Sequence, residues 1–137
     1  MSDSTTKTAT CACGALKLTA TAEPKFAHAC ACLDCQKRSG SAFSYTAFYD
    51  DSAVKIEGPS TAYRNSSSTA GRWSEVHFCP TCGVMVFMRL QALPNIVCVP
   101  VGAFSDPGFQ APGRLFWASR RHHWLELPNR IEPVDTQ

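Results

Sequence analysis

The chain has 137 residues, the usual size of one domain, and is long enough to bury a core without disulfides. Its apolar fraction of 45% excludes a disordered chain, and its net charge of +2 argues against nucleic acid as a partner. No apolar run reaches membrane length, and the polar first residues lack the apolar centre of a signal peptide. The sequence therefore predicts a cytoplasmic protein that makes no membrane contact.

Residues 1–9 are predicted to form a flexible polar tail, and residues 10–137 a single domain. Between residues 16 and 22, apolar side chains alternate with polar ones, which is typical of a half-buried strand. Pro24 ends this strand, and residues 25–29 form a short extended segment that leads into a cysteine-rich run.

Short strands separated by turns are predicted along the rest of the chain. The apolar runs at 84–88 and 95–99 indicate strands buried on both faces, and Pro100 places the second at a sheet edge or a bend. Residues 65–71 form a Ser-rich loop. The pattern predicts an all-β domain with short helical turns only. The remaining predicted strands cover residues 43–49, 54–56, 61–64 and 115–117, and residues 73–78 lead into the last cysteine pair.

Seven of the eight cysteines lie in three short groups, and the clustering favours metal ligation over disulfides. Neighbouring cysteines in C-x-C cannot readily bridge each other, and no secretory signal accompanies them. Cys98 stands alone in an apolar run and is predicted to be a buried, inert thiol. The three groups are Cys11 and Cys13; Cys30, Cys32 and Cys35; and Cys79 and Cys82.

The first and last groups together supply the four thiolates of a closed zinc site. The run Cys79-Pro80-Thr81-Cys82-Gly83 has the chemistry of a zinc knuckle, in which turn amides donate to the sulfurs. Cys11 and Cys13, followed by Gly14, would complete the set and clamp the start of the chain to its middle. The alternative is two unrelated pairs.

The central group is one thiolate short of a closed site. One alternative is a second structural zinc, closed by His28, His77 or Cys98. The other is an open position, at which three thiolates give the zinc site a net charge of about −1 and weaken its action on water. Such a soft centre favours a substrate thiol as its next ligand. Lys37 and Arg38 could offset this charge, although plain surface charge is the simpler interpretation for at least one of them.

These motifs resemble the glutathione-dependent formaldehyde-activating enzymes, also called the centromere-protein-V-like family. The resemblance spans residues 11–104 and rests on C-x-C-G at 11–14, C-x-C-x-x-C with a basic S-G-S-x-F stretch at 30–43, and F-C-x-x-C-G at 78–83. It implies an Mss4-like fold of twisted β-sheets with two zinc ions. The structural zinc would be held by Cys11, Cys13, Cys79 and Cys82, and the catalytic zinc by Cys30, Cys32 and Cys35.

The resemblance also implies an activity: the family joins formaldehyde and glutathione to S-(hydroxymethyl)glutathione, or cleaves the same carbon–sulfur bond. We therefore expect a zinc-dependent carbon–sulfur lyase or synthase acting on a thiol adduct, with a small-molecule thiol such as glutathione as partner. Residues placed at its substrate pocket are Lys37, Arg38, Ser39 and Gly40. The alternative is a non-enzymatic Mss4-like binding module with both zincs structural, and a chromatin-type binder is a third hypothesis that the low net charge disfavours.

The chain departs from the family pattern at three positions. Ala31 stands where His is frequent, Gln36 where Arg is frequent, and His77 where an Arg is common. The metal ligands remain, so these changes concern the substrate contacts. The C-terminal third is also locally basic, which indicates either a clamp for the carboxylates of an anionic substrate or, as the favoured interpretation, an exposed basic turn. Its basic residues are Arg114, Arg120, Arg121, His122 and His123.

Overall fold

The computed structural model describes residues 5–66 and 71–136, which form two β-sheets and one short helix. The predicted all-β class with short helical turns is confirmed. Helix α1 spans Leu33–Ser39, and single 3-10 turns lie at Asp51–Ala53, Val101–Phe104 and Ala118–Arg120. The strands are β1 (Lys7–Thr10), β2 (Lys17–Ala20), β3 (Phe26–Cys30), β4 (Ser44–Asp50), β5 (Val54–Glu57), β6 (Thr61–Asn65), β7 (Ser74–Phe78), β8 (Met85–Leu90), β9 (Leu93–Pro100), β10 (Arg114–Phe116) and β11 (Glu132–Val134).

A three-stranded sheet in the order β1-β2-β5 packs on an eight-stranded sheet in the order β11-β10-β3-β4-β9-β8-β7-β6. The alternation predicted for residues 16–22 appears as full burial of Leu16, Leu18 and Ala20 between the sheets. Ala22 was predicted on the same face but is exposed, because β2 ends at Ala20. The main core therefore lies between the small sheet and one face of the large sheet.

The predicted tail is too long, because residues 7–9 belong to β1. Lys7 to Thr10 pair antiparallel with β2, and Ala9 is fully buried against it. The Lys7 ammonium also lies 2.7 Å from the Asp106 carboxylate. The polar composition of this segment does not indicate a strand, because β1 is stabilised by its backbone hydrogen bonds to β2 and by one buried side chain, that of Ala9. Residues 1–4 lie outside the described part, as do residues 67–70 of the predicted Ser-rich loop.

The two continuous apolar runs form neighbouring strands inside the large sheet. Consecutive burial of Val86, Phe87 and Met88 confirms that β8 is covered on both faces there. Strand β9 lies between β4 and β8, so the sheet-edge alternative for Pro100 is wrong. The bend is correct, because Pro100 is the last residue of β9 and the chain turns at once into the 3-10 turn at Val101–Phe104.

The end of the large sheet nearest the central cysteines contains parallel pairings. Strand β10 runs parallel to β3 and places Phe116 beside Cys30. Strand β11, which the sequence pattern did not predict, pairs parallel with β10 on its other side. This sheet therefore brings the C-terminal segment against the start of helix α1. Across the described ranges, no helix is long and apolar enough to cross a membrane.

Candidate metal centres

Four cysteine sulfurs at the tips of two β-hairpins lie within 4.8 Å of one another. The Cys13 sulfur is 3.7 Å from those of both Cys11 and Cys79, and Cys82 completes the group. A tetrahedral zinc with Zn–S bonds of about 2.3 Å holds its sulfurs about 3.8 Å apart. The four-cysteine cluster therefore has the ligand type, number and spacing of a closed zinc site.

The two hairpin tips are built in the same way. The first cysteine of each tip, Cys11 or Cys79, donates its amide to the carbonyl of the fifth residue along, at 3.0 Å. Amides also reach the sulfurs: Leu16 donates to Cys11 at 3.3 Å and Thr81 to Cys79 at 3.4 Å. The Leu16 amide, supported by the neighbouring thiols, lowers the pKa of Cys11 to about 6 against the effect of burial. Each tip leaves through a glycine with positive φ, Gly14 at 83° and Gly83 at 79°.

The three remaining clustered cysteines lie where β3 passes into helix α1, with all three sulfurs within 4.8 Å of one another. Cys30 ends the strand, and Cys32 is the N-cap of the helix, where its sulfur accepts the Cys35 amide at 3.3 Å. The helix stops at Gly40, whose φ of 63° is left-handed. Cys30 is buried, whereas Cys32 and Cys35 are half-buried, so this three-cysteine cluster faces an accessible surface.

One sulfur of the three-cysteine cluster, that of Cys35, ionises more readily than the other two. Hydrogen bonds from the thiols of Cys30 and Cys32 lower the pKa of Cys35 to about 2, with further contributions from Arg38 and Ser44. The bond to Cys32, and then the bond to Cys35, raises the pKa of Cys30. An Arg38 guanidinium nitrogen (Nη2) lies 3.6 Å from the Cys35 sulfur. The one sulfur that most readily ionises is therefore the one that a cation contacts.

In the ranges 5–66 and 71–136, no histidine, carboxylate or further cysteine joins the three sulfurs within 4.8 Å. His77 instead donates to the Glu75 carboxylate at 2.8 Å and stacks on Phe87 with ring centres 4.3 Å apart. Cys98 is fully buried, as predicted, and burial raises its pKa to about 12. The His28 ring packs among aromatic rings instead of joining the cluster. The donor set thus fits a soft metal ion with one position left open.

The four residues predicted to bind substrate have different surroundings. Arg38 is half-buried and contacts the cluster, while Lys37 is exposed. The Ser39 hydroxyl lies 3.4 Å from the Gln36 and Phe43 carbonyl oxygens, either of which can accept its proton, and Gly40 caps the helix. Of the four, Arg38 is the residue whose position suits a charged contact at the cluster. Substrate binding by any of the four remains a prediction.

Gln36 has a role that sequence reasoning missed. Its amide nitrogen donates to the Ala31 carbonyl at 2.8 Å and the Arg120 carbonyl at 3.0 Å, and its oxygen accepts from His122 at 2.9 Å. Gln36 therefore ties the cysteine loop to the C-terminal segment. Ala31 is fully buried against Leu115, so position 31 presents no side chain to a ligand. No pattern in the sequence signals the contacts of Gln36 and Ala31 with the C-terminal segment, because their partners Arg120, His122 and Leu115 lie more than eighty residues along the chain.

Most of the C-terminal basic side chains have partners within this segment. Arg114 bonds Glu132 at 3.0 Å, and Arg121 donates to the Ala118 carbonyl at 2.8 Å. The Arg120 guanidinium lies over the Trp117 ring at 5.1 Å. The exposed basic turn that the sequence favoured is therefore what the structure has, and its arginines hold the segment in shape.

Fold and site together define a mainly β protein with two cysteine clusters that can hold metal ions. Residues 6–120 match the family model described as glutathione-dependent formaldehyde-activating enzyme. Because that match covers most of the chain, the protein belongs to the glutathione-dependent formaldehyde-activating enzyme family. The chain is also similar in fold to a crystal structure of a Rhodobacter sphaeroides protein from structural genomics, with 23% identity, a TM-score of 0.53, and coverage of 75% of this chain and 90% of that one. A search of curated proteins gave no match.

Proposed function

We propose that the protein is a zinc-dependent carbon–sulfur lyase or synthase for the adduct of a low-molecular-weight thiol, of the glutathione type, with formaldehyde or a related small electrophile. The observation that carries this proposal is the three-cysteine cluster: three sulfurs drawn together, without a fourth protein ligand among the described residues, at an accessible surface. The family supports the thiol and the aldehyde. The four-cysteine cluster is proposed to hold a structural zinc.

The chemistry of the donor set explains why a thiol, and not water, is the proposed ligand. Cys30, Cys32 and Cys35 would hold a zinc ion, which would supply a soft Lewis acid with an open position suited to a thiol sulfur. Three thiolates already donate charge, so activation of water is weak there. A fourth sulfur raises the net charge of the site to about −2. The Arg38 guanidinium, 3.6 Å from Cys35, is placed to offset that charge.

The proposed reaction needs no redox partner. In the cleavage direction, the carbon–sulfur bond of the hemithioacetal breaks and the sulfur keeps the bonding electron pair. The hydroxyl proton passes to solvent, and the carbon–oxygen bond becomes the carbonyl of the aldehyde. Synthesis is the reverse, in which the thiolate sulfur adds to the carbonyl carbon and the oxygen takes a proton. The chain contributes by binding the sulfur, stabilising its charge through Arg38 and positioning the adduct.

Replacing Cys32 by Ser tests this proposal, because serine keeps the helix N-cap while removing one thiolate. We expect Cys32→Ser to abolish turnover of every thiol adduct, retain the zinc of the four-cysteine cluster and keep the fold. Cys98→Ala is the matched control, since Cys98 lies outside both clusters and should leave zinc content and turnover unchanged. A Cys32→Ser protein as active as the wild type would show that the assignment is wrong.

X-ray absorption at the zinc edge separates this enzyme from a binding module with two structural zincs. The enzyme predicts that added glutathione raises the mean number of sulfur ligands per zinc in the wild type. The module predicts four protein ligands on each zinc and no change on adding thiol. Cys32→Ser provides the baseline, because its remaining four-sulfur site should not respond.

A further inference from the structure

A wall of aromatic rings adjoins the three-cysteine cluster on the same face of the large sheet. Phe26, His28 and Cys30 alternate along β3 and so point to one face. The His28 ring lies 4.7 Å from that of Phe26 and 4.8 Å from that of Phe116, and Phe48 lies 4.7 Å from Phe26. We call Phe26, His28, Phe48 and Phe116 the ring wall. Because Phe116 is the register partner of Cys30, the wall begins beside the cluster.

The ring wall is partly open to a ligand. Phe48 is buried and forms its floor, whereas the rings of Phe26, His28 and Phe116 are half-buried. The exposed parts of these rings can therefore contact a planar apolar group, either by stacking or edge-on. Aromatic faces next to a metal-binding cluster favour a ligand with an apolar plane close to its metal-binding atom.

Two polar atoms near the cluster have unused hydrogen-bonding capacity. Within the described residues, Nδ1 of His28 and Nε of Arg38 are buried without a hydrogen-bond partner. His28 belongs to the ring wall, and Arg38 contacts Cys35. A buried polar atom left without a partner costs stability, so its retention here suits a ligand that carries a polar group.

The chain offers less for the peptide part of a tripeptide thiol. Arg114, Arg120 and Arg121 are engaged with Glu132, with the Trp117 ring and with backbone carbonyls, respectively. A clamp for two carboxylates would have to compete with these contacts. Selectivity is therefore better explained by the part of the adduct that meets the ring wall.

We infer that the preferred electrophile carries an apolar planar group, so that the substrate is the hemithioacetal of a thiol with an aromatic or similarly flat aldehyde. This inference rests on the proposed function and names its substrate class. Such an adduct carries a sulfur, a hydroxyl and a ring, which suit the cysteine cluster, an unpartnered polar atom of His28 or Arg38, and the ring wall, respectively. Cleavage is balanced as above, with the carbonyl of the aromatic aldehyde as product.

Binding of two thiols to the zinc-loaded protein tests the inference without measuring turnover. Benzyl mercaptan carries a ring one carbon from its sulfur, while ethanethiol lacks the ring, and isothermal titration calorimetry gives both affinities. We expect benzyl mercaptan to bind roughly tenfold more tightly, in keeping with added aromatic contact and burial. Equal affinities would overturn the inference.

Variants locate this preference on the ring wall. Phe26→Leu should remove most of the roughly tenfold preference, and Phe116→Leu should do so independently if Phe26→Leu fails to fold. Phe109→Leu is the matched control, because Phe109 is also half-buried and stacks on Phe104 away from the wall. If the two wall variants keep the wild-type ratio, the rings do not recognise the ligand and the inference fails.

Exchange NMR of glutathione with formaldehyde and with benzaldehyde tests the proposed function and the inferred substrate class separately. If the protein accelerates interconversion of both adducts, with the higher kcat/KM for benzaldehyde, both the proposed function and the inferred substrate class are supported. Catalysis of the formaldehyde adduct alone overturns the inference and leaves the proposed function standing. Catalysis of neither adduct, together with no thiol binding, overturns the proposed function and the inference with it.

Discussion

The two cysteine clusters use the same ligand chemistry in opposite settings. The four-cysteine cluster joins hairpin tips whose sulfurs come from positions as far as 71 residues apart, from Cys11 to Cys82, and two of its members, Cys11 and Cys79, are buried. The three-cysteine cluster comes from the single run 30–35 and keeps Cys32 and Cys35 half-buried. Long-range closure by a full ligand set favours stability, whereas a local, incomplete and accessible set favours chemistry.

The largest expected difference between the clusters is in folding. Cys79→Ser removes one of four thiolates, and structural zinc in small domains contributes on the order of 10 kcal/mol, comparable to the whole stability of a domain. We expect this variant to lose its cooperative thermal transition and the zinc of the four-cysteine cluster. Cys32→Ser should keep both. Circular dichroism melts and zinc content per chain measure the contrast, and equal melts for the two variants would contradict the division of roles.

A smaller effect is expected from the charge beside the three-cysteine cluster. Arg38→Met keeps the side-chain length but removes the cation that contacts Cys35. Because hydrogen bonds to charged groups contribute about 1.5–3 kcal/mol, thiol affinity should fall by roughly tenfold or more. Lys37→Met is the control, since Lys37 is exposed and its loss should change affinity little. Equal losses in the two variants, measured by calorimetry with glutathione, would mean that only net charge matters.

The smallest effect concerns the strand that delivers Cys11 to the four-cysteine cluster. Lys7 holds β1 to Asp106 at 2.7 Å, and its hydrogen bond lowers the pKa of that carboxyl below its usual range. Because the pair is about a third exposed, Asp106→Asn should lower Tm by only roughly 1–3 °C at pH 7.

The pH dependence of that difference has a defined sign. An acid whose folded pKa is depressed stabilises the fold above its unfolded pKa, and this contribution is lost as pH falls through the folded value. The gap in Tm between wild type and Asp106→Asn should therefore be constant above about pH 5 and shrink as pH falls below that. A gap that persists unchanged at pH 2 would show that the ion pair is not its cause.

Local patterns predicted the strands best where one face is buried along most of the element. The alternation at 16–22 and the apolar runs at 84–88 and 95–99 correspond to β2, β8 and β9. Strands β1 and β11 were missed because they are short and stabilised by pairing with distant partners. Pro100 shows the same limit of local patterns. A proline at this position is compatible with a sheet edge or with a bend, and the edge is excluded only because β9 lies between β4 and β8.

For the candidate site, sequence spacing was sufficient to predict the two cysteine groups. Ligands within a few residues share one turn, so C-x-C and C-x-x-C restrict where the sulfurs can point. The surroundings of those groups were not predictable in this way. The engagement of His77 with Glu75, the bridge made by Gln36 and the burial of Ala31 each depend on residues brought in by other strands or by the C-terminal segment.

The sequence by itself thus determined the ligand chemistry, the division into four and three cysteines, and the all-β class, because each depends on residue types and on spacings of a few residues along the chain. Only the tertiary structure decided that His28, His77 and Cys98 stay outside the three-sulfur group and that Arg38 faces it. It also decided that β10 places Phe116, and with it the ring wall, beside Cys30. These features follow from packing between distant segments, and the free energy of that packing depends on all partners at once.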